Sequence, residues 1–224
     1  MTRYYPIMLD IIGKNCLVIG GGKVALRKIT SLLFSSAKVN VISEELCEEL
    51  KTYCHEGKIC WIQKKFEPAD IKNAVLVFAA TDSTETNREI AKISKTKGIP
   101  VNVVDDPDLC DFIVPSIIEQ GDLTITVSTN GKSPALAKKI REDLEKQFGP
   151  HYAKFLNILG NIREKASKEI PNITLRENLY KELVYSDIIN LIEENKKDKA
   201  LEKANKLLNE AFDEAKGHSR NQGK

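Results

Sequence analysis

The chain has no apolar run long enough to cross a bilayer, no Cys-x-x-Cys pair and almost no net charge. With the first absence goes an N-terminus, Met-Thr-Arg-Tyr-Tyr-Pro-Ile-Met-Leu-Asp, whose apolar stretch is too short for a signal peptide. Together they exclude a membrane protein and make a cytoplasmic one the expectation. A net charge of +2 gives no electrostatic reason to expect nucleic acid or an acidic membrane as partner. The five cysteines are odd in number and irregularly spaced, and Cys16 and Cys60 lie in apolar strand-like runs. They read as reduced thiols rather than a disulfide framework. Cys47, Cys54, His55 and Cys60 cluster in sequence but lack the paired spacing of a zinc site, His151 and His218 stand alone, and no metal site is expected.

What is present begins at Cys16-Leu17-Val18-Ile19, an apolar strand-like run that breaks into Gly20-Gly21-Gly22 and continues as Lys23-Val24-Ala25 with helical periodicity (Val24, Ile29, Leu32, Leu33). This is a dinucleotide-binding turn. Gly20 supplies the tight turn, Gly22 lets the backbone approach a pyrophosphate, and Ala25 stands where helix and strand pack closely. Free N–H groups at the start of the Lys23 helix then face the phosphates. A second apolar run at 37–42 follows at the interval of a βαβ unit. The acidic residue that usually ends the second strand falls near Ser43, with Glu44 and Glu45 behind it and no arginine beside them. That arrangement favours NAD over NADP.

The 224 residues suffice for one nucleotide-binding domain and a smaller partner. The pattern predicts helix over 44–55, strand over 58–63, a short helix over 68–73, strand over 74–80, helix over 84–97 and strand over 100–104. Such alternation means a parallel sheet covered on both faces, with ligands beyond the carboxyl ends of its strands. Two of those ends carry polar residues, Thr81-Asp82 and Asp105-Asp106-Pro107, and Asp105 directly follows a buried strand at the lip of the crevice. The alternation then stops. Residues 112–129 read as two strands around Gly121-Asp122, an antiparallel element added to the sheet, and Ser133-Pro134 opens a helix through 148. From His151 the chain is helical, with a stripe of Tyr152, Phe155, Leu156, Leu159, Ile162 and Ala166, and further segments over 175–185, 187–194 and 198–216. This region is small and charged for a free-standing domain, and residues 217–224 read as a disordered tail.

Several segments in this order resemble the precorrin-2 dehydrogenases of the siroheme synthase N-terminal type. They are Tyr5-Pro6-Ile7-Met8-Leu9, Val18 to Lys28 with its glycine turn, Ala79-Ala80-Thr81-Asp82, Asn102-Val103-Val104-Asp105, Asp111-Phe112-Ile113-Val114-Pro115-Ser116 and Ser128-Thr129-Asn130-Gly131-Lys132-Ser133-Pro134-Ala135. The resemblance implies an α/β protein with a Rossmann-type parallel-sheet domain (1–112), a central antiparallel dimerisation segment (113–149) and a helical C-terminal domain (150–216). It implies a homodimer that oxidises precorrin-2 to sirohydrochlorin with NAD. Some members also insert iron, so ferrous or cobaltous ion is a further substrate the resemblance admits. Carried over by position, Gly20, Gly21, Gly22, Lys23 and Val24 contact NAD, Ser43 and Glu44 lie by its ribose, Thr81 and Asp82 flank the nicotinamide, and Asp105 matches the essential aspartate. One positioned carboxylate beside NAD suffices for removing a hydride and a proton, and Asp105 is the expected base. Ser128, Thr129, Asn130, Lys132 and Ser133, at a helix start, suit the carboxylates of such a substrate. The alternative is a module that binds NAD to regulate a partner. Asp105 and the 130–135 turn favour catalysis, because a sensor needs neither a base nor a polyanion-binding helix start.

Overall fold

The computed structural model describes residues 4–221, and side-chain surroundings through Gly217. The chain divides into two compact units, Met1–Val114 and Pro115–Lys224.

In the first unit, five parallel strands form one sheet: β1 (Asn15–Ile19), β2 (Lys38–Ser43), β3 (Ile59–Gln63), β4 (Leu76–Ala79) and β5 (Val101–Val103). Their order is β3-β2-β1-β4-β5, so the chain reverses its direction of growth between β1 and β4. The central strands are buried on both faces, which is why they read as unbroken apolar runs rather than alternating ones. Successive residues nonetheless serve two different layers. Cys16, Val18, Val39, Val41 and Phe78 pack with α1 (Lys23–Phe34) and α2 (Glu48–His55), through Ala25, Ile29, Leu32 and Leu50. Leu17, Ile19, Val77, Ala79, Val101 and Val103 pack on the other side with Ile90 and Ala91 of α3 (Thr84–Thr96) and with Ile71. Each fully buried Ile, Leu or Val stabilises the fold by roughly 1.5–3 kcal/mol.

Two boundary differences from the sequence pattern have a visible cause. Helix α2 begins at Glu48 rather than 44, because residues 45–47 lie against the glycine turn, where the Cys47 N–H donates to the Gly21 carbonyl (2.8 Å). No strand starts at Phe112. Asp111 exchanges hydrogen bonds with the Val101 backbone, and the Phe112 ring sits edge-on to Phe78 at 5.4 Å, so both residues belong to the first unit.

The second unit opens with an antiparallel hairpin, β6 (Ser116–Gln120) and β7 (Leu123–Val127), turning at Gly121. The hairpin is a separate two-stranded sheet, not an addition to the five-stranded one. Gly121 has φ +60°, and a Cβ on it would stand 2.9 Å from the Ala153 Cβ, so the turn demands glycine twice over. Helix α4 (Pro134–Gln147) packs on the hairpin. Helices α5 (His151–Glu169), α6 (Ile173–Tyr185), α7 (Ile188–Glu193) and α8 (Lys197–Asn221) follow. Small and charged as it is, this helical region encloses a core of its own: Phe155, Ile158, Ile162 and Ala166 of α5 meet Leu175, Leu179, Leu183, Ile192, Ala204 and Leu208. Ile158, not Leu156, is the buried member of the α5 stripe, since 155, 158, 162 and 166 follow the helical repeat more closely. The tail expected from Gly217 instead continues α8 through Asn221, and residues 222–224 lie outside the described residues. Among the described residues no helix is long and apolar enough to cross a membrane.

Candidate active site

The three glycines after β1 are there for different reasons. Gly20 has φ +123°, and a Cβ on it would meet the Ala80 carbonyl oxygen at 2.1 Å. A Cβ on Gly21 would stand 1.9 Å from the Glu45 carbonyl oxygen and 2.8 Å from Ser43 Oγ, so its bareness admits the chain leaving β2. Gly22 faces open space, with nothing within 4 Å of an added Cβ. It is also the N-cap of α1, with no side-chain cap bond and no acidic residue in the first turn. The helical ladder starts with the Leu26 N–H donating to the Gly22 carbonyl (3.0 Å), so the N–H groups of Lys23, Val24 and Ala25 precede it. An open cradle at the positive end of a helix, with no acidic residue in the helix's first turn, fits a pyrophosphate.

At the end of β2, Ser43 accepts hydrogen bonds from Trp61 Nε1 on both its carbonyl oxygen (3.1 Å) and its Oγ (3.2 Å). The hydroxyl proton remains to donate. Glu44 is exposed, and Lys65 approaches it at 3.9 Å, a cation brought in by the chain beyond β3.

Beyond β4, Thr81 is held on three sides by the buried Asn87 side chain. Asn87 Oδ1 accepts from the Thr81 N–H (3.2 Å) and Oγ1 (2.7 Å), and Nδ2 donates to the Thr81 carbonyl (3.0 Å). Ser83, not Asp82, caps α3 by accepting from the Thr86 N–H (3.1 Å), leaving Asp82 exposed. Beyond β5, Asp105 is exposed and has φ +61°. A non-glycine residue in the left-handed region costs about 1–3 kcal/mol unless its surroundings hold it there, and such residues gather at functional sites. Gly20, Gly21, Gly22, Ser43, Glu44, Thr81, Asp82 and Asp105 therefore all lie at or just beyond the carboxyl ends of β1, β2, β4 and β5.

Three neighbours have contacts that the sequence pattern does not reveal. Asn102, buried inside β5, donates from Nδ2 to the Phe112 carbonyl (2.9 Å). Cys110 Sγ accepts from the Val103 N–H (3.2 Å) and reaches the carbonyls of Val103 (3.2 Å) and Asp106 (3.4 Å). Burial pushes that thiol up, so it stays protonated and able to donate at neutral pH. Lys28 Nζ lies 6.0 Å from the centre of the Phe78 ring, and burial, with Arg27 beside it, pulls its ammonium below the usual lysine range. Burial also pushes Cys16 in β1 up to about 11. Asn102 and Lys28 lie in segments that carry the family resemblance, and Cys16 reads as an apolar-run thiol, but no role for any of them is visible in the pattern. Among the described residues no three potential metal ligands gather.

The remaining candidates sit in the second unit. Asn130 (φ +51°) and Gly131 (φ +79°) make the turn before α4. The Thr129 hydroxyl accepts from the Ser133 N–H (3.1 Å) and donates to the Ser133 carbonyl (3.0 Å), while Ser133 Oγ accepts from the Leu136 N–H (3.2 Å). Ser128 Oγ accepts from the Asn130 N–H (3.1 Å), and Lys132 is exposed.

A parallel sheet of this order, with a glycine turn and an uncapped helix at the point where strand order reverses, defines a dinucleotide-binding protein of the Rossmann class. Comparison with known proteins narrows this. Residues 7–116 match a family described as "Putative NAD(P)-binding", and residues 120–147 match the "Sirohaem biosynthesis protein central" family. The siroheme synthase of Ruthia magnifica subsp. Calyptogena magnifica is 41% identical over 187 residues, covering 84% of this chain and 39% of that protein. The siroheme synthase of Thioalkalivibrio sulfidiphilus is 36% identical over 210 residues, covering 94% and 43%. A solved structure of SirC, a precorrin-2 dehydrogenase, superposes with a TM-score of 0.73 at 25% identity, covering 89% of this chain and all (100%) of the other. The chain is thus similar to siroheme synthases and to a precorrin-2 dehydrogenase, and the family matched by residues 7–116 supports a nicotinamide dinucleotide as its cofactor. It spans about two fifths of the length of the siroheme synthases it matches.

Proposed function

We propose that this protein oxidises precorrin-2 to sirohydrochlorin with NAD, and that Asp105 is the general base. The observation that carries the reading is Asp105 itself, a carboxylate held in a left-handed conformation one residue beyond Val104, on the edge of the sheet that carries the glycine turn. The oxidation removes a hydride and a proton from the tetrapyrrole. NAD, when bound, supplies the hydride acceptor. Asp105 receives the proton and passes it to solvent, to which it is exposed.

The other residues bind and orient. The N–H groups of Lys23 and Val24 hold the pyrophosphate, with Gly22 leaving room for it. Ser43 and Glu44 take the ribose. Glu44 repels a 2′-phosphate and no arginine stands beside it, which supports NAD over NADP, while Lys65 at 3.9 Å offsets part of that charge. Thr81, fixed by Asn87, and Asp82 flank the nicotinamide side. In the second unit Lys132, with Ser128, Thr129, Asn130 and Ser133, suits a substrate rich in carboxylates; in the first unit, Lys28 is an ammonium without a carboxylate partner among the described residues and could meet such a group by itself.

We further infer a homodimer through segment 113–149. A two-stranded hairpin is marginal alone, and α4 leaves Leu136 (48%) and Ile140 (37%) exposed on one side. Sedimentation of the intact chain at micromolar concentration should give twice the mass of one chain, and a monomer would remove this part of the reading. The activity is tested by supplying enzymatically generated precorrin-2 anaerobically with NAD or NADP. NAD-dependent appearance of NADH and the sirohydrochlorin spectrum is expected, with kcat/KM for NAD at least about tenfold above that for NADP, in line with one repulsive carboxylate–phosphate contact. Tight NAD binding without turnover would instead leave a nucleotide-sensing role. Ferrous or cobaltous ion added to the product mixture tests metal insertion in the same vessel.

A further inference from the structure

We propose that Asn102 and Cys110 are positioning residues that hold Asp105 in its left-handed conformation, so that they set the rate of proton transfer without binding cofactor or substrate. The proposal rests on Asp105 being the base.

The loop from Val104 to Leu109 leaves β5 and returns to it. Both of its feet are tied together. Cys110 Sγ meets Val103 N–H and carbonyl at 3.2 Å each, immediately before the loop, and the Asp106 carbonyl at 3.4 Å, immediately after Asp105. Asn102 Nδ2 approaches the same sulfur at 3.6 Å and donates to the Phe112 carbonyl at 2.9 Å. One step further out, Asp111 bonds the Val101 backbone in both directions, at 2.9 and 3.1 Å. The chain is thus fixed on either side of Asp105 by three successive residues of its own return segment.

The tie bears on chemistry because of where it acts. Asp105 has φ +61°, a conformation that aspartate tolerates and its neighbours can fix, and its own side chain is exposed. A protonated thiol does what the position requires: it accepts from one N–H and offers its proton to a carbonyl. A hydroxyl can do the same, and a methyl group can do neither. Neither Asn102, buried within β5, nor Cys110, aimed at the backbone, belongs to the glycine turn or the ribose end of the crevice. Loosening them should therefore misplace the carboxylate and leave cofactor binding alone.

The test uses the full chain and compares Cys110→Ala, Cys110→Ser, Asn102→Ala and Asp105→Asn, with Cys60→Ser, an exposed β3 thiol outside the site, as control. Cys110→Ala is expected to lower kcat about 10–100-fold, the scale of a carboxylate displaced by about an ångström, while KM for NAD and the NAD dissociation constant stay within about twofold. Cys110→Ser should recover most of that loss, and Asn102→Ala should show the same kcat-only pattern at smaller size. Asp105→Asn, which keeps the left-handed preference, should abolish turnover. If Asp105→Asn loses turnover while Cys110→Ala and Asn102→Ala keep parental kcat, the positioning role is wrong and the base assignment stands. If Asp105→Asn retains parental turnover, the base assignment itself fails. Should Cys110→Ala not fold by circular dichroism, Asn102→Ala and Cys110→Ser decide. A parallel loss of NAD binding and kcat in Asn102→Ala, or no rescue by serine, would reduce the pair to a structural role and overturn the proposal.

Discussion

The N-termini of α1 and α4 look alike in sequence, each a turn with glycine followed by a helix, but they differ in what satisfies them. At α4, Ser133 caps the Leu136 N–H and Thr129 closes the turn on both sides of Ser133. The hydrogen-bonding capacity there is largely consumed by the fold. At α1, nothing caps the helix, no acid stands in its first turn, and Gly22 opens onto free space. A helix start that leaves its own donors unanswered is built to be completed by something else. The difference separates the proposed cofactor site, formed by backbone, from the proposed substrate site, which would rely on side chains such as Lys132 and Ser128.

The sharpest way to break that comparison lies within the glycine turn. Gly22→Ala should raise the NAD dissociation constant at least about tenfold while leaving the melting temperature unchanged, because its φ of −87° suits alanine and the only thing its Cβ can meet is a ligand. Gly20→Ala should instead lower the melting temperature by several degrees, since its Cβ must displace the Ala80 carbonyl. Equal effects at both positions would mean that the turn is packing alone. At α4, Lys132→Gln should raise KM for the tetrapyrrole several-fold with KM for NAD unchanged, an effect that shrinks with added salt as an exposed charge requires.

Smaller effects sharpen the contrast from the side of stability. Ser133→Ala removes a cap already in use and should cost about 1 kcal/mol in chemical denaturation, where Gly22→Ala costs almost nothing. Lys28→Met should move the other way. Burial lowers the folded-state pKa of Lys28, so its charged form is penalised below that pKa, and the penalty is relieved as pH rises through it toward the unfolded value. Methionine removes the penalty at neutral pH, so the variant should melt slightly higher and lose the upward trend of stability on the alkaline approach to the ordinary lysine pKa. It should also bind the carboxylate-rich substrate less well. A Lys28→Met protein with unchanged KM would take Lys28 out of the substrate site.

Local features were legible from residues alone. The glycine turn, the buried strands and the Ser133-Pro134 helix start each depend on a few consecutive side chains, and the segments around them are specific enough in order to reveal the family. What escaped depends on contacts distant in sequence. Residues 44–47 read as helix but are captured by the backbone of Gly21, which no periodicity can foretell. Phe112 reads as the start of a strand, yet Asn102 and Phe78 retain it in the first unit. Asn87 and Asn102 are single polar residues in otherwise ordinary elements, and only the fold shows that one clamps Thr81 and the other the return segment after Asp105. Asp105 itself could be placed at a strand end by pattern, but its left-handed backbone could not.

Parental protein and Asp105→Asn, assayed anaerobically with precorrin-2 and NAD while NAD binding is measured separately, give the most direct test of Asp105 as the base. NAD affinity within about twofold together with a loss of kcat of at least about a hundredfold is the expected result, matching removal of a general base from an intact cofactor site. Undiminished turnover in the variant would contradict it and return Asp105 to the role of a strained turn residue.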